Sequence, residues 1–260
     1  MKKIFYLLLL IVLIAQTGCG PTVSNVLKKY ESEFKEKRDQ FRSIVNLLPP
    51  NGNIKNNSIC KDIVPAMVFN ERNKKYNTEI IMFEQLLDPD TKPEMDLFLS
   101  NDLLLAIQWT GTKSPLSPSI LDDSGAEIEK TLKAALGYRY LVINRVAKLT
   151  KPEVKNETNY FRGQVLIETF IVDMVNNKPL CSFTSSADSP SDLSGIPISS
   201  PTSYTKKGKV RFRTEYVVNR AEPKEVQLQK AAYSIMWEEA RLNVIASLQK
   251  LTNGEIEIEE

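Results

Sequence analysis

Hydrophobic residues follow two periods along this chain. They return every three or four positions near both ends and every second position between about 138 and 218. Leu27, Phe34, Phe41 and Leu48 recur every seven residues. Val23, Tyr30 and Ile44 form a neighbouring line that Lys37 interrupts, and the opposite side is dense in Lys, Glu and Arg. This spacing predicts an amphipathic helix over 23–47, ended by Pro49-Pro50 and packed on the protein's own body, with a coiled-coil seam as the alternative. Residues 51–77 are polar and Asn-rich apart from an apolar island at 63–69. Residues 78–87 read as a strand. Residues 95–109 read as a helix stopped by Gly111, with a strand as the alternative, and 114–118 as a turn region. Ser124 and Glu127 stand at capping-box spacing ahead of the stripe Ile128, Leu132 and Leu136, which Gly137 closes.

The period then shortens to two. Residues 138–147 are β-rich. In 161–174, Val165, Ile167 and Ile171 share one face while Leu166, Phe170 and Val172 share the other, as in a central strand covered on both sides. Asn176-Asn177 signals a tight turn, after which 180–185 returns as a hairpin. Eight serines and three prolines between 185 and 203 mark a Ser/Pro-rich loop, taken as 185–207. Residues 209–218 alternate again as a strand. A long helix over 223–251 carries Leu228, Ala231, Ile235, Leu242, Ile245 and Leu248, and an acidic tail, 255–260, follows. Helices, a block of strands and a closing helix imply an α+β fold. Its expected form is an antiparallel sheet of about four or more strands packed with several helices, including a long N-terminal and a long C-terminal one.

The N-terminus has a different character. Lys2 and Lys3 precede an unbroken apolar run, 4–15, of 12 residues, against the roughly 20 that a membrane-crossing helix needs. A short basic region, an apolar run of this length and small residues after it describe a secretory signal. Thr17-Gly18-Cys19 at its end resembles the lipobox of bacterial lipoproteins, with Gln16 departing from the aliphatic residue usual there. The resemblance implies a signal peptide of 1–18, cleavage between Gly18 and Cys19, and lipid on the Cys19 sulfur and amine, anchoring a body of 19–260. Gly20 after the cysteine implies, by the sorting pattern of such lipoproteins, the outer membrane of a two-membrane cell. An uncleaved short anchor and an ordinary secreted protein are the alternatives.

Charge and composition narrow the function. The chain has 34 basic and 32 acidic residues, and Lys2 and Lys3 fall within the signal, so the body is close to neutral. That argues against long-range steering toward nucleic acid or anionic lipid. There is no histidine, which removes the commonest general acid-base and metal ligand. With Cys19 assigned to lipid, Cys60 and Cys181 remain. In an oxidising compartment they can form one disulfide, the alternative being two separate thiols.

No catalytic motif stands above chance. Four Ser-x-x-Lys matches (Ser32/Lys35, Ser58/Lys61, Ser203/Lys206, Ser247/Lys250) compare with about two expected at random, and the companion elements of penicillin-interacting enzymes are missing. The carboxylate neighbours Asp122/Asp123 and Glu238/Glu239 read as solvated pairs. Lys206, Lys207, Lys209, Arg211 and Arg213 read as a solvated strand face, with headgroup or acidic-polymer contact as the alternative. The order of strand, polar loop, long strand with Asp173 near its end, turn and return strand between Tyr140 and Ala187 resembles the sheet of outer-membrane lipoproteins that activate peptidoglycan synthases, and of curli-secretion lipoproteins. Only Gly20 and Pro21 separate Cys19 from a helix here, whereas such activators need a long tether. The expectation is a non-enzymatic envelope lipoprotein without a cofactor, held by lipid on Cys19 and acting by binding or assembly with a membrane-proximal envelope protein. A solute- or polymer-binding lipoprotein is the first alternative and an envelope hydrolase the second.

Overall fold

The structure, a computed structural model, describes residues 21–54, 60, 67, 77–93, 102–111, 124–156, 159–193 and 222–251. In chain order, helix α1 (Val23–Val45) leads to strand β1 (Thr78–Met82) and helices α2 (Phe83–Leu87), α3 (Asp102–Gly111) and α4 (Gly125–Leu136). Strands β2 (Tyr140–Thr150), β3 (Glu153–Asn156), β4 (Asn159–Phe161), β5 (Gln164–Asp173) and β6 (Lys178–Asp188) follow, and helix α5 (Lys224–Leu251) comes last. The fold is α+β, with a four-stranded sheet ordered β1-β2-β5-β6 and a separate β3-β4 ribbon.

The sheet is mostly antiparallel, but β1 runs parallel to β2, with Thr78 opposite Tyr140 and Met82 opposite Asn144. Parallel neighbours need a long crossover, and α2, α3 and α4 supply it. The expected strand over 78–87 therefore splits. After Met82 the chain turns into one helical turn, where the Gln85 side-chain oxygen accepts from the Met82 N–H at 2.9 Å. A short apolar run does not distinguish strand from helix, so periodicity could not place this boundary.

Covering on both faces holds for β5. Leu141, Ile143, Phe170 and Val172 join the inner residues of α1, α3 and α4, while Val142, Val165, Ile167 and Ile171 join Met236, Trp237, Ala240, Val244 and Leu248 of α5. Phe34 and Phe41 are fully buried, each a gain of about 1.5–3 kcal/mol over exposure. Leu27 is half-buried at the edge of the same cluster. Lys37, which breaks the inner line of α1, is half-buried, and burial lowers its pKa.

Two boundaries move. Strand β6 continues to Asp188, pairing Ser185 with Ile167 and Ala187 with Val165, so the Ser/Pro-rich loop starts later than residue 185. On α5, Leu228, Ala231, Ile245 and Leu248 are buried as expected, whereas Leu242 is exposed and Ile235 half-buried; Ala232, Met236, Ala240 and Val244 complete a buried line from Leu228 to Leu248 in steps of four. The Asn176-Asn177 turn is present, with Asn177 at φ 48°, a left-handed conformation that Asn tolerates better than most residues. The expected strand over 209–218 and the acidic tail lie outside the described residues.

Candidate functional site

Gly18 and Cys19 lie outside the described residues, and the described chain begins two residues later, at Pro21. Thr22 caps α1, its hydroxyl accepting from the Asn25 N–H at 3.4 Å. Pro21 rests on the first turn of α4, where a Cβ on Gly125 would come within 1.8 Å of the Pro21 carbonyl oxygen. Only glycine admits the chain there. The capping box read from sequence forms beside it. Ser124 Oγ accepts from the Glu127 N–H at 3.3 Å, and the Glu127 carboxylate accepts from the Ser124 N–H at 3.0 Å. The Ser124 N–H and hydroxyl hold the Glu127 carboxyl below its ordinary range.

One turn on, the two helices are locked together. Glu129 of α4 accepts from Lys29 Nζ at 2.7 Å and the Tyr30 hydroxyl at 3.1 Å, and pairs with Lys133 at 3.1 Å. Lys29, then Lys133 and Tyr30, hold the Glu129 carboxyl down at about 2, and Glu129 raises Lys29 in return. The helix behind Cys19 is thus part of the body.

Cys60 and Cys181 are brought together and bonded, with Cα atoms 4.9 Å apart. Cys181 sits opposite Ile171 on β6, and both cysteines are buried in the α5-side core with Met67. The bridge spans 121 residues, worth about 4–5 kcal/mol in the chain-entropy model. It pins the start of the Asn-rich segment to the sheet.

Two charged constellations were missed in the sequence. Arg145 and Glu168 form a buried ion pair across β2 and β5, Nε to Oε2 at 2.9 Å and Nη2 to Oε2 at 2.5 Å. Arg145 also donates to the carbonyls of Pro49 at 2.7 Å and Pro50 at 3.3 Å, and Glu168 Oε1 accepts from the Gly52 N–H at 3.0 Å. The pair clamps the turn after α1 onto the sheet. Its signal was available: each is the only charge in its apolar strand segment, 140–147 and 165–172. At the other end of β5, Asp173 accepts from Arg139 at 3.0 Å and from the backbone N–H groups of Val175 and Asn176. Burial pushes the Asp173 carboxyl up, but Arg139, Asn176 and Val175 together outweigh it and hold the group below its ordinary range. Both constellations are architectural, the first buried and the second capped by the half-exposed Arg139.

Among the described residues, those weighed for chemistry do not converge. Ser32 donates to Glu33, Ser247 donates to the Asn243 carbonyl on α5, and Glu238 pairs with Arg241. Ser58/Lys61, Ser203/Lys206, Asp122/Asp123 and the cationic stretch 206–213 lie outside the described residues. Among the described residues no three His, Cys, Asp or Glu gather as for a metal ion. A shallow cleft lies between the β2–β3 link and α5, lined by Lys151, Pro152, Gln229, Lys230 and Tyr233. Lys151 stands over the Tyr233 ring at 5.4 Å, while Lys230 is engaged by Glu222 at 2.6 Å. No helix among the described residues is long and apolar enough to cross a membrane. Compared with protein families, characterised proteins and solved structures, the chain finds no match.

Proposed function

We propose that this chain is a lipid-anchored protein of the bacterial envelope, of the outer membrane where the cell has one, that acts by binding or assembly at the membrane surface. The observation that carries the reading is the run from Lys2 to Cys19: a short basic start, 12 apolar residues and Thr-Gly-Cys. Two or more acyl chains give stable anchoring without a spanning helix. In support, Pro21 is seated against Gly125 and α1 is built into the core through Val26, Phe34 and Phe41, so an anchor at Cys19 would be joined directly to a packed body. Its partner class is a membrane-proximal envelope protein, because the body has almost no reach away from Cys19.

The test is metabolic labelling with an alkyne fatty acid in a bacterial host. The wild-type chain takes up label and fractionates with membranes; Cys19→Ala takes up none and is released. A Cys19→Ala protein that stays in the membrane fraction as unprocessed precursor makes the apolar run a true anchor and refutes the reading. The cleft at Tyr233 favours a second reading, a solute- or polymer-binding lipoprotein. Loss of ligand binding in Tyr233→Ala, with folding unchanged, would favour it.

A further inference from the structure

Resting on the anchor reading, we propose that the bilayer is the partner of one particular end of the body. The paired N-termini of α1 and α4 sit on the headgroup layer, and the molecule stands end-on, not along the side of α1. The exit point is fixed first. Pro21 is seated against Gly125, so close that a Cβ there would meet the Pro21 carbonyl at 1.8 Å. Two residues of chain span at most about 7 Å, so acyl chains on Cys19 leave the body beside the first turns of α1 and α4.

The side of α1 offers the bilayer nothing to hold. Its exposed residues include Lys28, Lys29, Lys35 and Arg42 against Glu31, Glu33, Glu36 and Asp39, a balanced face with no large exposed hydrophobic. An interfacial helix needs its apolar face in the membrane, and here that face, with Phe34 and Phe41, is spent on the core. Nor do the helix ends form a headgroup pocket, since Thr22 and the Ser124–Glu127 box already cap them. Contact at this end follows from the short tether and from the absence of any competing membrane-binding surface on α1.

The opposite end is marked by the β5–β6 turn. Gln40 donates to the Met174 carbonyl and Ser43 meets Asn177 at 3.3 Å, which places the turn about 26–30 Å along α1 from Val23, at about 1.5 Å per residue. Val175, 73% exposed, stands at its tip.

A fluorescent amino acid replacing Ala126, exposed on the first turn of α4, or Val175 reads the orientation. The full chain, processed in cells, is reconstituted into phosphatidylethanolamine/phosphatidylglycerol vesicles carrying a headgroup-linked quencher. Quenching should be several-fold stronger at 126 than at 175. Equal quenching at both positions means a side-on molecule and overturns the proposal; no quenching at either means a body floating free of the bilayer and overturns it too. Gly125→Leu, which displaces Pro21, should reduce the contrast while acylation is unchanged. Intact mass of the same sample reads the anchor separately. If Cys19 carries no acyl group, the anchor reading falls, and the same two probes are read on chain coupled through Cys19 to a maleimide phospholipid, so the geometry is tested either way.

Discussion

Replacing Arg145 by Met should be among the most damaging single changes this protein can undergo, although it keeps an unbranched side chain as far as the position of Nε. Glu168 retains 2% of its side-chain exposure and Arg145 9%. After the change, the Glu168 carboxylate keeps the Gly52 N–H and loses both guanidinium bonds. Breaking a buried pair by removing one partner costs about 3–5 kcal/mol, because a charge is left uncompensated. That is a large part of the roughly 5–15 kcal/mol by which a domain is stable. The carbonyl of Pro49, half-buried, loses its donor as well. Methionine recovers some contact with the Phe83 and Phe170 rings, whose centroids lie 5.4 and 4.8 Å from the guanidinium carbon.

The assay is urea unfolding of the chain from Pro21 onward at pH 7, with Arg145→Met, Glu168→Leu and the double variant compared at constant slope. If desolvation of a stranded charge dominates, the double variant should be less destabilised than Arg145→Met alone, since both charges leave together. Amide exchange at Gly52 should accelerate in Arg145→Met, reporting release of the clamped turn. A loss below about 1 kcal/mol in Arg145→Met, or strictly additive losses, would refute the reasoning.

Further outcomes follow from the same contacts. The Glu129 carboxyl titrates lower folded than unfolded, so its contribution is fully present above the ordinary carboxylate range and is lost as pH falls from about 4.5 toward about 2; Glu129→Gln should flatten that part of the stability-versus-pH curve, and an unchanged acid limb would count against the Glu129 cluster with Lys29, Tyr30 and Lys133. Gly125→Ala should lower the melting temperature by overpacking against the Pro21 backbone, at about 1–3 kcal/mol, although helix propensity alone favours alanine; a stabilised variant would show Pro21 is not seated there. Cys60→Ser/Cys181→Ser should cost about 2–5 kcal/mol, and thiol counting on the unfolded, unreduced, acylated wild-type chain should find no free cysteine; two labelled thiols would end the pairing.

What could be read from the sequence was decided by how far each signal stood from its competitors. Helix α4 carried a stripe, a capping box and a closing glycine, and all three lie where their spacing put them. The long strand β5 announced its two covered faces because both were apolar. Failures occurred where local pattern is degenerate. In the run 78–87 the apolar stretch Ile80–Phe83 crosses the boundary itself, so the change from strand to helix at Phe83 is set by the Gln85–Met82 contact and the parallel pairing with β2. Ser186 and Ala187 looked like loop by composition, yet pairing with β5 holds them in a strand. On α5, the eye follows Ile235 and Leu242, whereas small Ala232 and Ala240 let the helix approach the sheet and turn Met236 and Trp237 inward. The Arg145–Glu168 clamp depends on a register that no single strand reveals.

The way α1 is built bears on how an anchor at Cys19 would act. A tethered activator keeps its lipid and its working domain mechanically independent through a long linker. In this chain, Thr22 caps the helix whose Phe34 and Phe41 fill the core, and Arg38 of the same helix donates to the Ile107 carbonyl at the end of α3 at 3.0 Å. Any load on an acyl chain at Cys19 would therefore reach the core through two residues and one rigid helix, with the contacts of Glu129 to Lys29 and Tyr30 as a lateral brace. Such an arrangement suits a protein whose partners come to the membrane, not one that reaches away from it. Inserting a flexible linker of about 40 residues between Gly20 and Pro21 separates the two cases: a membrane-proximal binder should lose its crosslinked partners in cells, whereas a reaching activator should keep or gain them.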